Sequence, residues 1–159
     1  MDSELKEFLL RQGRLHRMCN ENLIALKACS SKKDAIELYK KTIDWALEEN
    51  YPPLSVLRRS FSNCEEYGLY VDKEFRGEKL MDQQVYVLHH CSGTINVELN
   101  IEKKIIPMIY LANDCDITIK RPESSAFSIR VPIYSFGENI IRAKNTDNVE
   151  FRIYNFETK

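Results

Sequence analysis

The string His89-His90-Cys91 contains the side chains best suited to chemistry in this 159-residue sequence. Imidazole nitrogen and thiolate sulfur both bind zinc, and Cys91 is followed 24 residues later by Cys115. Against a metal site, alternation along a strand sends His89 and His90 to opposite faces, and the spacing matches no standard zinc pattern. We therefore expect no metal ion and no cofactor, while any other chemical role of these four residues stays open.

Three carboxylates form the second chemical feature. Asp114, Asp116 and Glu138 have the side chains that cleave a glycosidic bond when one acts as acid and another as base. Such a site needs a long groove, and acidic residues at chain corners commonly serve as turn formers. A Cys91–His pair is a weak nucleophile candidate, because neighbours on one strand do not face each other. We predict no catalytic residue and no enzymatic activity.

A basic patch lies near the N-terminus. Arg11, Arg14 and Arg17 recur every three residues and would line one side of a helix, where they could meet phosphates. Nearby Glu4, Glu7 and Glu21 also fit an ordinary solvated helix face. The formal net charge is only -1, which disfavours nucleic-acid binding as the main function.

Aromatic residues near the C-terminus are the candidates for an interface. The last predicted strand ends in aromatic side chains close to the C-terminus, and it has few charged residues that would prevent another strand from pairing with it. We predict that this stretch meets a second copy of the chain, as a dimer or trimer, or a protein partner. The interface candidates are Phe151, Ile153, Tyr154 and Phe156.

A repeat organises the residues from Tyr86 to Lys144. Tyr86, Tyr110 and Tyr134 recur every 24 residues, each followed by a turn-forming centre and an alternating strand. We expect the three tyrosines to form a buried stack that keeps successive copies in register.

The N-terminal part has helical periodicity. A first helix is expected from Asp2 or Ser3 to about Cys29, with weak points at Gly13 and at residues 20–22 where it could split. A second helix starts at the capping box of Ser31 and ends near residue 50, and a third spans 54–61. These helices form a hairpin and cap over residues 1–62.

From residue 67 the periodicity changes to two, which predicts a β-repeat domain over 67–159. A turn is expected at 76–79. The fold class is therefore α+β, with a short β-solenoid of roughly 22 to 25 residues per coil in the second part. An antiparallel β-sandwich is the alternative. Strands are expected at 69–75, 84–90, 94–100, 105–111, 116–120, 127–134, 140–144 and 149–155.

The remaining composition indicates a cytoplasmic protein. The longest apolar run, 105–112, is too short to cross a membrane and contains Pro107, and the acidic N-terminus does not resemble a secretory signal. The 5 cysteines are widely spaced and odd in number, which fits reduced thiols better than disulfides.

Three strings resemble uncharacterised short proteins of Bacteroides-type gut bacteria and their prophages. They are Val85-Tyr-Val-Leu-His-His-Cys-Ser-Gly-Thr-Ile, Lys104-Ile-Ile-Pro-Met-Ile-Tyr-Leu-Ala-Asn-Asp-Cys-Asp and Arg130-Val-Pro-Ile-Tyr-Ser-Phe-Gly-Glu-Asn. The resemblance implies a phage or mobile-element setting and brings no activity. We expect a non-enzymatic interaction or structural protein that assembles with itself or binds a protein. The alternative is a nucleic-acid-associated accessory protein that uses the basic face of the first helix.

Overall fold

The computed structural model of the chain describes residues 1–121, 128–146 and 148–158. It divides into two compact units. The helical unit covers Met1–Ser62 and the β unit covers Asn63–Glu157.

The helical unit has more breaks than the sequence predicted. The first helix ends early because Arg17 adopts a left-handed conformation with φ 59°. The second ends where the Thr42 hydroxyl donates to the carbonyl of Leu38 at 3.1 Å. The described residues of this unit form five α-helices where the sequence predicted three, the first of which it allowed to split: α1 (Ser3–Leu15), α2 (Asn20–Ala28), α3 (Lys32–Lys41), α4 (Ile43–Glu48) and α5 (Leu54–Ser60).

Two helix starts follow from local capping. An Asp2 carboxylate oxygen accepts from the Leu5 N–H at 2.7 Å, and Ser31 and Asp34 form the predicted capping box at the start of α3. Apolar side chains inside the unit are buried, including Leu9, Ile36, Ala46 and Leu57.

The β unit contains one strand more than expected. Asp72, with φ 54°, turns the chain and divides the stretch predicted as one strand over 69–75. The turn expected at 76–79 is wrong, because Gly77 lies inside a strand and forms a bulge there. The start of the strand expected at 127 lies outside the described residues. The described strands are β1 (Leu69–Val71), β2 (Glu74–Leu80), β3 (Val85–His89), β4 (Ser92–Val97), β5 (Met108–Ala112), β6 (Asp116–Lys120), β7 (Ile129–Phe136), β8 (Ile140–Ala143) and β9 (Val149–Phe156).

Consecutive strands alternate between two sheets. One sheet has the order β1-β3-β5-β7-β9 and the other the order β2-β4-β6-β8, and all seven strand pairs of the described residues are parallel. The core contains side chains of both sheets. Leu88, Ile109, Leu111 and Ile133 come from the first, and Ile117 comes from the second. Each is fully buried, and such a side chain contributes about 1.5 to 3 kcal/mol to folding.

These sheets correct the predicted fold class. Helices together with wholly parallel sheets of five and four described strands make an α/β chain, not an α+β chain. The antiparallel sandwich is wrong because the described strand pairs are parallel. The predicted β-solenoid of roughly 22 to 25 residues per coil is wrong as well, because paired strands are offset by 18 residues at Leu69–Val87, 24 at Tyr110–Tyr134 and 20 at Ile129–Val149.

Candidate functional site: the open edge of the five-stranded sheet

The strand β9 forms one edge of the five-stranded sheet. Two bonds to β7 show which way its backbone groups point: the Phe156 carbonyl accepts from the Gly137 N–H at 3.0 Å, and the Asn148 carbonyl accepts from the Ile129 N–H at 2.8 Å. Backbone groups of alternate residues point to opposite sides of a strand. Even-numbered residues of β9 therefore bond to β7, and odd-numbered residues present their N–H and C=O groups to the open edge.

The first half of this edge is capped by the loop that precedes it. Asn145 Oδ1 accepts from the Phe151 N–H at 2.8 Å, and Val149 exchanges two backbone bonds with Thr146. Beyond this cap, the N–H and C=O groups of Ile153 and Asn155 point out of the sheet and find no partner in residues 1–121, 128–146 and 148–158. Unpaired groups of this kind are a template for another strand.

Of the four interface residues predicted from the sequence, three lie at this open part of the edge. Ile153, Tyr154 and Phe156 are 42%, 41% and 39% exposed. Phe151 is buried in the core between the sheets, so it is not available to a partner. The sequence did not predict the cap by Asn145 or the free backbone groups of Asn155. Both features depend on which strand lies beside β9, and Asn145 taken alone is an ordinary turn residue.

An aromatic ladder ends at the same edge. The Tyr110 and Tyr134 rings stack with centroids 4.6 Å apart, the Tyr134 and Tyr154 rings 5.3 Å apart, and the Phe136 and Phe156 rings 4.7 Å apart. Tyr110 and Tyr134 therefore stack as expected, although Tyr134 is only half-buried, and Tyr154 joins them. The last rings are the most exposed, so the ladder stops where further stacking would bury more apolar surface.

Tyr86 does not belong to this ladder. It pairs with Ile109, faces the core, and its hydroxyl oxygen accepts from the backbone N–H groups of Asp82 and Gln83 at 3.0 Å. Its 24-residue spacing from Tyr110 is therefore not the register of the sheet.

A small cluster of ion pairs, formed by Arg130, Glu150 and Arg152, lies beside the open part of the edge. Arg152 Nε lies 2.6 Å and Arg130 Nε 3.0 Å from the Glu150 carboxylate. Hydrogen bonds from Arg152 and then Arg130 hold the pKa of Glu150 below its usual range. The Arg152 charge is therefore already partly balanced, which weakens its repulsion of another strand.

The two cysteines of the repeat have a structural role at the corner between the sheets. Cys115 Sγ accepts from the Cys91 N–H at 3.3 Å and donates to the Ala112 carbonyl at 3.2 Å. Both thiols are buried, and the hydrogen bond with Cys115 and burial raise the pKa of Cys91. A thiol that is buried and protonated is a poor nucleophile.

The two histidines lie apart because His89 ends β3, whereas His90 follows the strand in a left-handed conformation with φ 51°. His89 is buried, its Nδ1 lies 2.7 Å from Oδ1 of Asn113, and burial lowers its pKa to about 4. His90 is exposed at the corner, where Nδ1 lies 2.7 Å from the Asp72 carboxylate. No group of three or more His, Cys, Asp or Glu side chains in the described residues is placed to hold a metal ion.

The three candidate carboxylates are all exposed at or next to corners. Asp116 pairs with Arg142, and Asp114 has a left-handed conformation with φ 59°. Glu138 follows Gly137 at the next corner.

The basic face of α1 is shorter than the sequence indicated. Arg11 and Arg14 lie on the helix, whereas Arg17 follows its end. A groove of about 510 Å³ beside Arg11 and Arg14 is also lined by Arg59, Glu4 and Glu7. The two carboxylates offset most of the positive charge with which the three arginines would attract a phosphate backbone.

No helix in the described parts of the chain has both the length and the apolar character needed to span a membrane. Comparisons with protein-family models, with curated proteins and with solved structures found no match for this chain.

Proposed function

We propose that this chain is a non-enzymatic interaction protein that assembles with a second copy of itself through the open part of β9. The unpaired backbone groups of Ile153 and Asn155 support the proposal, because they lie among three exposed apolar side chains. In monomeric proteins, an edge strand is usually protected from pairing by prolines, charges, bulges or a covering element. Here the cap by Asn145 ends at Phe151, and Arg152 is the one charged residue from there to Phe156.

A second copy is the occupant that the edge fits best. Its own β9 offers the same donors and acceptors, and closed symmetric assemblies are the common form of soluble oligomers. We place this role in the cytoplasm, as the cysteine pattern indicates.

Sedimentation velocity of the full chain at micromolar concentration tests the proposal. The wild type should sediment as a dimer, and Tyr154→Asp should weaken association at least about tenfold, since a charge at a desolvated contact costs more than about 1.4 kcal/mol. Ile24→Asp is the matched control, because Ile24 is 70% exposed on α2 in the other unit. A wild type that stays monomeric would overturn self-assembly, and a different protein would then be the occupant to seek.

The nucleic-acid alternative stays a prediction. Arg11, Arg14 and Arg59 line one groove, but Glu4 and Glu7 line it too and offset most of their charge. A mobility shift that weakens steeply with salt would support it.

A further inference from the structure

We infer that the two copies pair β9 against β9 in antiparallel orientation, about a two-fold axis that passes beside Tyr154. Ile153 of each chain then lies opposite Asn155 of the partner subunit. This inference rests on the proposed self-assembly and adds the register of the contact to it.

Hydrogen-bond direction restricts the possible registers. Two opposite residues of an antiparallel pair exchange hydrogen bonds only if the backbone N–H and C=O groups of both point into the contact. In β9 these are the groups of the odd-numbered residues. A two-fold axis places residue i opposite residue j with a constant sum of their numbers. With the axis at Tyr154, the pairs are Ile153 with Asn155 and Asn155 with Ile153. All the free groups of these two residues are then used, in four bonds.

The loop before β9 excludes the next register. An axis at Ile153 would place Phe151 opposite Asn155 of the partner subunit. The Phe151 N–H is already bonded to Asn145, whose loop runs along that part of the edge. An axis at Asn155 would instead place Ile153 opposite Glu157, beyond the end of β9. The Tyr154 register therefore gives the longest pairing that leaves the cap in place.

Side chains on the outer face agree with this register. Tyr154 would lie directly opposite Tyr154 of the partner subunit, so the ladder Tyr110–Tyr134–Tyr154 would continue across the contact. Arg152 would lie opposite Phe156 of the partner subunit, where a guanidinium over an aromatic ring is attractive. No two charges of the same sign face each other on these pairs.

Cysteine cross-linking of the full chain measures the register. The background is Cys19→Ser, because Cys19 is exposed and the other four cysteines are buried. Tyr154→Cys should form a disulfide dimer on mild oxidation, since directly opposite residues of a non-hydrogen-bonded pair have Cα atoms about 4.5 Å apart. Arg152→Cys alone and Phe156→Cys alone should not, because each residue would lie about 13 Å from its own copy. A mixture of these two variants should cross-link, and it keeps Tyr154 in place.

Replacement of the backbone donor gives an independent test. Asn155→Pro removes an N–H that points outward, so it should abolish the dimer without lowering the melting temperature of the monomer, whereas Asn155→Ala keeps the N–H and the dimer.

The register is wrong if the protein is a dimer but cross-links through Ile153→Cys rather than through Tyr154→Cys or the mixed pair. It is also wrong if Asn155→Pro stays dimeric. A monomeric wild type instead overturns the proposed function itself, so the two failures are distinguishable.

Discussion

Asn139 Oδ1 accepts a hydrogen bond from the backbone N–H of Cys115 at 2.9 Å, across 24 residues of sequence. Cys115 Sγ in turn accepts from the N–H of Cys91, again across 24 residues. The corners that follow β3 and β5 are thus each stabilised by a side chain of the next repeat. Asn139 also bonds to the end of its own preceding strand, because its Nδ2 donates to the carbonyl of Phe136 at 3.0 Å.

Asn139→Ala should lower the free energy of unfolding by about 1 to 3 kcal/mol, because the buried N–H of Cys115 would lose its acceptor. Asn148→Ala is the control. Asn148 is exposed, and its change should stay within about 0.5 kcal/mol. Denaturant unfolding of both variants measures the difference, and equal stabilities would show that the Asn139 bond contributes nothing.

In the native protein we expect one of the 5 thiols to react rapidly with a thiol reagent. Cys19 is exposed, whereas the other four are buried and burial raises the pKa of Cys29. Colorimetric titration should count one fast thiol in buffer and all of them in denaturant. Rapid modification of Cys91 or Cys115, identified by mass spectrometry, would contradict the structural role given to this pair.

Stability should fall as the pH is lowered below about 6.5, because burial lowers the pKa of His89 from 6.5 to about 4 in the folded state. Between these values the unfolded chain binds a proton that the folded chain does not bind. The stabilisation is therefore complete above pH 6.5 and is lost toward pH 4, with a full difference of about 3 kcal/mol. His89→Gln should flatten this dependence in unfolding measured between about pH 7.5 and 5. An unchanged slope, or a His89 resonance that titrates at its ordinary pKa, would disprove the assignment.

Gly93→Ala should destabilise the β unit far more than Gly77→Ala. Both glycines have positive φ, 98° and 93°, so the conformational cost of about 1 to 2 kcal/mol is shared. A Cβ at residue 93 would lie 2.1 Å from the Phe75 carbonyl oxygen, whereas one at residue 77 would lie 3.5 Å from Asn96 Nδ2. The steric clash should add more than about 2 kcal/mol. Thermal melts of the two variants compare them directly, and similar melting temperatures would mean that the strands separate easily at Gly93.

Local patterns determined the parts of this fold that depend on near neighbours. The capping box at Ser31 starts a helix, and alternation over Phe151 and Ile153 indicates a strand, because both depend on contacts within a few residues. The 24-residue recurrence also identified one true pair, Tyr110 with Tyr134.

The same recurrence misplaced Tyr86, and the structure shows why. Val85 pairs with Met108 at an offset of 23, whereas Ser92 pairs with Asp116 at 24, because the corner after β5 has one residue more than the corner after β3. A shift of one residue turns a side chain to the other face of its sheet. Tyr86 therefore faces the core, while Tyr110 belongs to the ladder.

Tertiary structure decided the register of pairing and the groups left free at the edge. The 24-residue recurrence favoured parallel stacking over antiparallel hairpins, and the strand pairs of the described residues are parallel, but alternation within a strand does not show which residues pair. The apolar side chains and few charges of the last predicted strand indicated that Ile153, Tyr154 and Phe156 belong to an interface. Only the register with β7 shows that the backbone groups of Ile153 and Asn155 point outward, because hydrogen-bond direction along a strand is set by the neighbour to which the strand is already bonded.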